Sequence, residues 1–499
     1  MRFPRRLRLL VVLAVAIGVV IGACGGGSSD NAALNAPPDV EADAPVVESV
    51  VVPTPEVSIV GPIPGDAQTS PTTGFEEADY AAFEYFVSGD AASYDPVDAL
   101  TDDGRWELTA RDVAPYTTRI IVKRPLDPAD FSGTVLVEWN NVTAGFESSP
   151  DFIFAREEIL RKGHVHIAVS AQLAGIDAAP GGGLVGDFGA PLKLADPDRY
   201  ADLDHPGDDY SYDLFAQIGA LARAVPDGEV DPLDGLEAEQ VIALGESQSA
   251  FRLTSFINGV HSLTPVYDGF FVHSRGGAHP GFDDGGSETA VRGSGAVRIR
   301  DDLDVPVLVL STETDLTVLG YAPARQPDSD VFRGWEVAGT AHADSHLLGG
   351  DEQVAAEILG CAAPVNDGPQ HFVVKAALAQ LVEWVIDPAD LPPRGDPIEV
   401  ADGQIVRDAD GNALGGIRLA PTRVPVAALS GDPLGDSVIC QLFGSTTVFD
   451  SAELAERYGD EASYRAEYEV ALDEDVSAGF ILAEDVEAAL ADVVSFTFG

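Results

Sequence analysis

Three cysteines stand in a chain of 499 residues, too few for a scaffold held mainly by disulfides. Lysine and arginine number 29 against 82 aspartates and glutamates, a formal net charge of −53. A field of that sign repels nucleic acid and anionic lipid head groups, so neither is expected as a partner. The acids are scattered rather than gathered into a tail, as on a solvated acidic surface. Internal repeats are missing too. The long apolar run Leu9 to Ala23 is short for a bilayer span. With 45% hydrophobic residues, the rest of the chain can bury one large core or two smaller ones.

Arg2, Arg5, Arg6 and Arg8 precede that apolar run and small residues close it, the pattern of a secretory signal. Ile21-Gly22-Ala23-Cys24 resembles the bacterial lipobox, which implies cleavage before Cys24 and its lipidation. An ordinary signal peptide with an incidental cysteine, or an uncleaved anchor helix, are the alternatives. GGGSSDNAALNAPPDVEADAPV then reads as a tether with nothing to pack. The expected division is a signal over 1–23, a tether over 24–52 and a folded unit over 53–499. The expected location is the bacterial cell envelope, with the membrane reached through Cys24 alone. In an oxidising compartment Cys361 and Cys440 suit a disulfide worth about 2–4 kcal/mol, the alternative being two buried thiols.

TTRIIVKRP, TVLVEW, HVHIAVS, EQVIALG, DGFFVHS, VPVLVLS and RGWEVA are short and apolar with little polar alternation. Such runs suit strands buried on both faces of a parallel sheet. Helical spacing marks 151–162, 210–224, 249–258 and 371–385 between or after them. Strand and helix in alternation predict a three-layer α/β domain. Gly-, Pro- and Asp-rich insertions at 173–209 and 275–300 are expected to cap a site, with Tyr210, Tyr212 and Phe188 as lining unless they are core residues. A C-terminal extension follows from 386 to 499.

In VIALGESQSAFRL an apolar strand runs into a helix with Ser247 on the corner. Small residues two positions to each side, Gly245 and Ser249, let strand and helix backbones pass closely, as in a nucleophile elbow. The alternative is a helix-capping serine without chemistry. At such a corner the backbone N–H of Gln248 is placed to stabilise an oxyanion.

A serine needs a base, and in this architecture the acid and then the histidine follow it along the chain. VPVLVLS is followed by Thr312-Glu313-Thr314-Asp315, so Asp315 is the expected acid and Glu313 its alternative. His342 after RGWEVAGTA is the expected base, with His346 in reserve. His371 opens a helix and suits a structural role. His342, Asp344 and His346 share one side only in an extended segment, and no second ligand cluster supports a metal site. No metal or other cofactor is expected.

TVLVEWNNVTAG, IAVSAQLAGID, HPGDDYSYDLFAQ, GESQSAFRL, LSTETDL, WEVAGTAHAD and GNALGGIRLAP together resemble a bacterial α/β-hydrolase-domain family whose members are often exported. The resemblance runs from about residue 53 to the end. It implies an α/β-hydrolase fold with a mostly parallel sheet, Ser247 as nucleophile, His342 as base and an acid in TETD. It also implies a second oxyanion donor from the backbone near Asn141, although glycines of the HGGG type are absent there. The reaction expected is hydrolysis of a small-molecule carboxylic ester through an acyl-enzyme, with amides not excluded. A lipid-tethered solute-binding protein and an inactive hydrolase relative are the rivals. Catalysis is expected to require an imidazole within reach of the Ser247 hydroxyl and a hydroxyl that is not buried.

Overall fold

The computed structural model describes residues 54–65, 67, 77, 79–177, 189–282, 295–350, 352–435 and 437–493. The expected signal, Cys24, the tether and Phe188 lie outside the described residues. No helix among them is long and apolar enough to cross a membrane.

The central sheet has nine strands: β1 (Ser58–Val60), β2 (Tyr80–Pro96), β3 (Leu108–Pro125), β4 (Thr134–Trp139), β5 (Val165–Val169), β6 (Gln240–Glu246), β7 (Gly269–His273), β8 (Val307–Thr312) and β9 (Phe332–Val337). Their order across the sheet is β1-β2-β3-β5-β4-β6-β7-β8-β9. All pairs from β5 through β9 are parallel. The first three strands join antiparallel, with β3 against β5.

The seven apolar runs of the sequence all lie in this sheet, for the reason expected: both faces are covered. Along β6, Val241 and Ala243 enter one core while Ile242 and Leu244 enter the other. The helix Ser211–Arg223 packs Tyr212 and Phe215 into the first core beside Trp139. The helices Pro150–Lys162 and Gln370–Ile386 bury Phe152, Ile159, Phe372 and Leu378 in the second. Gly163 ends the first of these with φ 74°, a conformation that favours glycine.

Beyond Ile386 the chain returns to the sheet edge. An antiparallel pair, Ala427–Ser430 with Ser445–Val448, flanks the short helix Val438–Leu442. The disulfide Cys361–Cys440 ties that helix to the end of the helix Glu352–Leu359. This extension docks where β8 and β9 end, and those ends carry the site.

Candidate active site

Strand β6 stops at Glu246 and a helix starts at Gln248, so the whole turn falls on Ser247. Its φ is 56° and ψ −120°, a sparsely populated backbone region for a residue with a Cβ, costing roughly 1–3 kcal/mol. Two bonds hold it there: its N–H donates to the His273 carbonyl at 3.0 Å, and its carbonyl accepts from Phe251 N–H at 3.1 Å. A Cβ on Gly245 would lie 3.1 Å from the Ser249 backbone, which explains the small residue before the corner.

The imidazole is in reach. His342 Nε2 lies 2.7 Å from Ser247 Oγ, and Nδ1 lies 2.6 Å from Asp315 Oδ1. The second oxygen of Asp315 accepts from Thr312 N–H at 2.7 Å and from its hydroxyl at 2.9 Å. Thr312 caps the helix Glu313–Thr317 in return, so the turn that follows β8 orients the carboxylate.

Glu313, the alternative acid, faces elsewhere. Its oxygens accept from Gly339 N–H at 2.6 Å and Gly431 N–H at 3.0 Å, and Arg407 pairs with it at 2.8 Å. Burial pushes its carboxyl above the usual range while Arg407 pulls it back. It therefore ties the acid turn, the histidine loop and the C-terminal extension together. His346 stacks on His371 with ring centroids 4.1 Å apart, and Asp344 accepts from the backbone of His346 and Leu347. Among the described residues no group of three or more His, Cys, Asp or Glu side chains could hold a metal ion.

One expectation needs correction. The N–H of Asn141 is not an available oxyanion donor, because it donates to the Ser148 carbonyl at 2.9 Å. Its side-chain amide donates to the Glu246 carboxyl at 3.2 Å, and its Oδ1 accepts from Thr143 N–H. Asn141 fastens its loop to the elbow instead.

Two further residues belong to the site. Glu246 is fully buried, with Oε1 lying 3.7 Å from His342 Nε2 and lacking any hydrogen-bond partner. Burial first, then the charges of Asp151, Asp315 and Glu138, push its carboxyl well above the ordinary range. An acid inside an apolar strand was its visible signal in the sequence. Gln172 links the elbow to the first insertion. Its Oε1 accepts from Gln248 Nε2 at 2.7 Å and Trp139 Nε1 at 3.0 Å, and its Nε2 donates to Asp208. Asp208 pairs with buried Arg252 at 3.1 Å.

Access is where the structure departs from the expectation. Ser247, His342 and Asp315 each have 0% exposure, so the hydroxyl on the corner is buried and not open to solvent. Tyr212 is a core residue, packed on Trp139 and Phe282, and Tyr210 is half-buried against the same core.

Sheet, elbow and the order of acid turn and histidine loop define the class: this is an α/β-hydrolase fold. The family model for the alpha/beta hydrolase domain matches residues 59–491, and the chain belongs to that family. Similar solved structures include fungal esterases from Rhizomucor miehei, at 12% identity and TM-score 0.31, covering 60% of this chain and 85% of that one. Acetyl xylan esterase 1 from Thermoanaerobacterium sp. JW/SL YS485 is similar at 10% identity and TM-score 0.28, covering 56% and 80%. The comparison with curated proteins finds no match.

Proposed function

We propose that the chain is a serine hydrolase that cleaves carboxylic esters through an acyl-enzyme. The observation that carries this is the continuous line Ser247 Oγ, His342 Nε2, His342 Nδ1, Asp315 Oδ1, with both contacts at hydrogen-bond length. His342 takes the hydroxyl proton as Oγ attacks the ester carbonyl, while Asp315 holds the proton on Nδ1. Collapse of the tetrahedral intermediate expels the alcohol, which takes the proton from Nε2. Water, deprotonated by the same nitrogen, then releases the acid and restores Ser247. The N–H of Gln248 opens the helix and has no partner within it, so it suits the developing oxyanion. Losing one such donor typically costs about 10²–10³ in rate.

The sealed hydroxyl adds a condition: a substrate enters only after the residues over Ser247 move aside. We further propose export and lipid anchoring at Cys24. Supporting this are the basic and apolar start, the Ile-Gly-Ala-Cys sequence and a disulfide suited to an oxidising compartment.

The test is the folded chain with a fluorophosphonate probe and with p-nitrophenyl acetate and butyrate, beside Ser247→Ala. Ser247-dependent labelling and turnover are expected, with small probes reacting faster than bulky ones. A solute-binding protein would stay unlabelled, and an inactive relative would not turn over either ester. A p-nitroanilide cleaved as fast as the ester would move the assignment to amides. Mass spectrometry of the mature N-terminus checks the anchor: an unmodified Cys24 would remove that part alone.

A further inference from the structure

The side chain of Gln248, the residue after Ser247, belongs to a buried frame that the proposed mechanism does not use. Gln248 Nε2 donates to Gln172 Oε1 at 2.7 Å. Gln172 Nε2 donates to Asp208 Oδ2 at 2.8 Å, and Arg252 Nη2 donates to the same oxygen at 3.1 Å. Gln248 and Arg252 lie one turn apart on the same face of the helix Gln248–Ser255, so the helix closes the ring. Gln248 is 5% exposed, and Gln172, Asp208 and Arg252 are buried more deeply still.

The ring fixes which way each amide points. Trp139 Nε1 can only donate, and it donates to Gln172 Oε1 at 3.0 Å. A carboxylate accepts, so Gln172 presents its NH2 to Asp208 and its oxygen to Trp139 and Gln248. Gln248 meets that oxygen with its own NH2, and its Oε1 is left over. Among the side-chain nitrogen and oxygen atoms of Trp139, Gln172, Asp208, Gln248 and Arg252, Gln248 Oε1 alone is buried without a hydrogen-bond partner. A frame built only for packing has no use for a spare acceptor, because a buried carbonyl without a donor loses the bonds that water gave it. The same residue carries the backbone N–H assigned to the oxyanion. A donor that reaches Oε1 therefore stands within a few bonds of the reacting carbonyl.

We propose that Gln248 Oε1 is a specificity determinant that accepts a hydrogen bond from a hydroxyl group on the ester, close to the reacting carbonyl. The substrate class is hydroxy esters, with the hydroxyl on the acyl chain or on the alcohol. An ether oxygen in that place cannot donate and turns its own lone pairs toward Oε1, and a plain alkyl chain leaves Oε1 unpaired. The inference rests on the serine-hydrolase reading of Ser247.

The experiment is acid release by the full chain, titrated at constant pH, from ethyl butyrate, ethyl 3-hydroxybutyrate, ethyl 3-methoxybutyrate, 2-hydroxyethyl butyrate and 2-methoxyethyl butyrate. Dividing each kcat/KM by the ester's rate of hydrolysis in hydroxide removes differences in intrinsic reactivity. At least one hydroxy ester is expected to exceed both its methoxy counterpart and ethyl butyrate by about tenfold or more. The series that shows the preference assigns the hydroxyl to the acyl chain or to the alcohol. In Gln248→Met, similar in length but without an amide oxygen, the hydroxyl-to-methoxy ratio is expected to fall toward one. That ratio is taken within each protein, so a general loss of rate in the variant cancels. Gln248→Leu is expected to do the same and serves where the methionine variant does not fold. A parent that cleaves hydroxy, methoxy and plain esters alike overturns the proposal without any variant, and so does a variant that keeps the parent's ratio. Cleavage of none of the esters also overturns it. A fluorophosphonate probe then separates the two readings: labelling at Ser247 leaves the hydrolase standing, and no labelling removes both.

Discussion

Asp315 Oδ1 lies 2.6 Å from His342 Nδ1, whereas Glu313, on the same turn, bonds Gly339, Gly431 and Arg407. The two acids of TETD thus have different work, and their variants separate. On the proposed mechanism, Asp315→Asn removes the charge that stabilises the imidazolium, and kcat is expected to fall by about 10⁴ with a small change in melting. Glu313→Gln leaves Arg407 with Asp432 as its remaining carboxylate partner and weakens the buried bonds to Gly339 and Gly431, a loss of about 1–3 kcal/mol, with kcat reduced far less. Ester turnover and urea melts of both variants check this. A Glu313→Gln protein as stable as the parent but catalytically dead would reverse the assignment.

Much of this arrangement was legible in the residues, for identifiable reasons. Runs such as VIALGE announce a strand covered on both faces, and a lone serine between small residues announces the corner. The long hairpin strand β2 was not legible, because YAAFEYFVSGDAASYDP interrupts its apolar residues with Glu84, Gly89 and Asp90 and is supported by pairing with β3. The acid choice stayed open because Glu313 and Asp315 differ only in what their turn does to them. Asn141 misled because residue identity says nothing about where a backbone N–H is spent; the bridge to Ser148 decides it. The frame around Gln248 draws on residues from Trp139 to Arg252, a convergence that no local pattern encodes.

Glu246 gives the site a pH signature. Its folded carboxyl titrates well above the ordinary range, so the folded chain holds a proton that the unfolded chain has released. Stability from this group is therefore present below the ordinary carboxylate range and is lost as pH rises toward the raised value. Glu246→Gln keeps the neutral shape and abolishes that titration. Relative to the parent, the variant is expected to gain melting temperature between pH 4 and pH 8. Ionisation also places a charge 3.7 Å from Nε2, so an alkaline inflection in kcat/KM is expected in the parent and not in the variant. Parallel melting curves across that pH range would show that Glu246 is ionised throughout.

The disulfide is expected to act on turnover as well as on stability. Cys440 sits in the helix Val438–Leu442, and the carbonyl of Leu442 accepts from Ala343 N–H at 3.0 Å, next to His342. Phe443 likewise accepts from Asn366 N–H at 2.8 Å. Replacing both cysteines by serine is expected to cost about 2–4 kcal/mol in urea melts. Under native conditions kcat is expected to fall several-fold with KM little changed, because the loop bearing His342 loses an anchor. Unaltered kcat in a protein shown by thiol titration to lack the bond would confine it to a stabilising role.

His261 tests the core from the acid side. It is buried with both ring nitrogens lacking partners, and its ring meets Phe270 edge-on at 5.0 Å. Burial lowers its pKa to about 4, only partly opposed by Asp304 and Asp268 and reinforced by Arg300. The unfolded chain therefore binds the extra proton between that value and the ordinary 6.5. Stability from this group is present above 6.5 and drains away as pH falls through about 4, by at most about 3 kcal/mol. His261→Leu removes the titration while retaining apolar contact with Phe270. Urea melts at pH 7 and pH 4.5 are expected to show a smaller acid loss in the variant than in the parent, whatever the variant's stability at pH 7. Equal losses in the two proteins would mean that the ring already accepts a proton inside the fold.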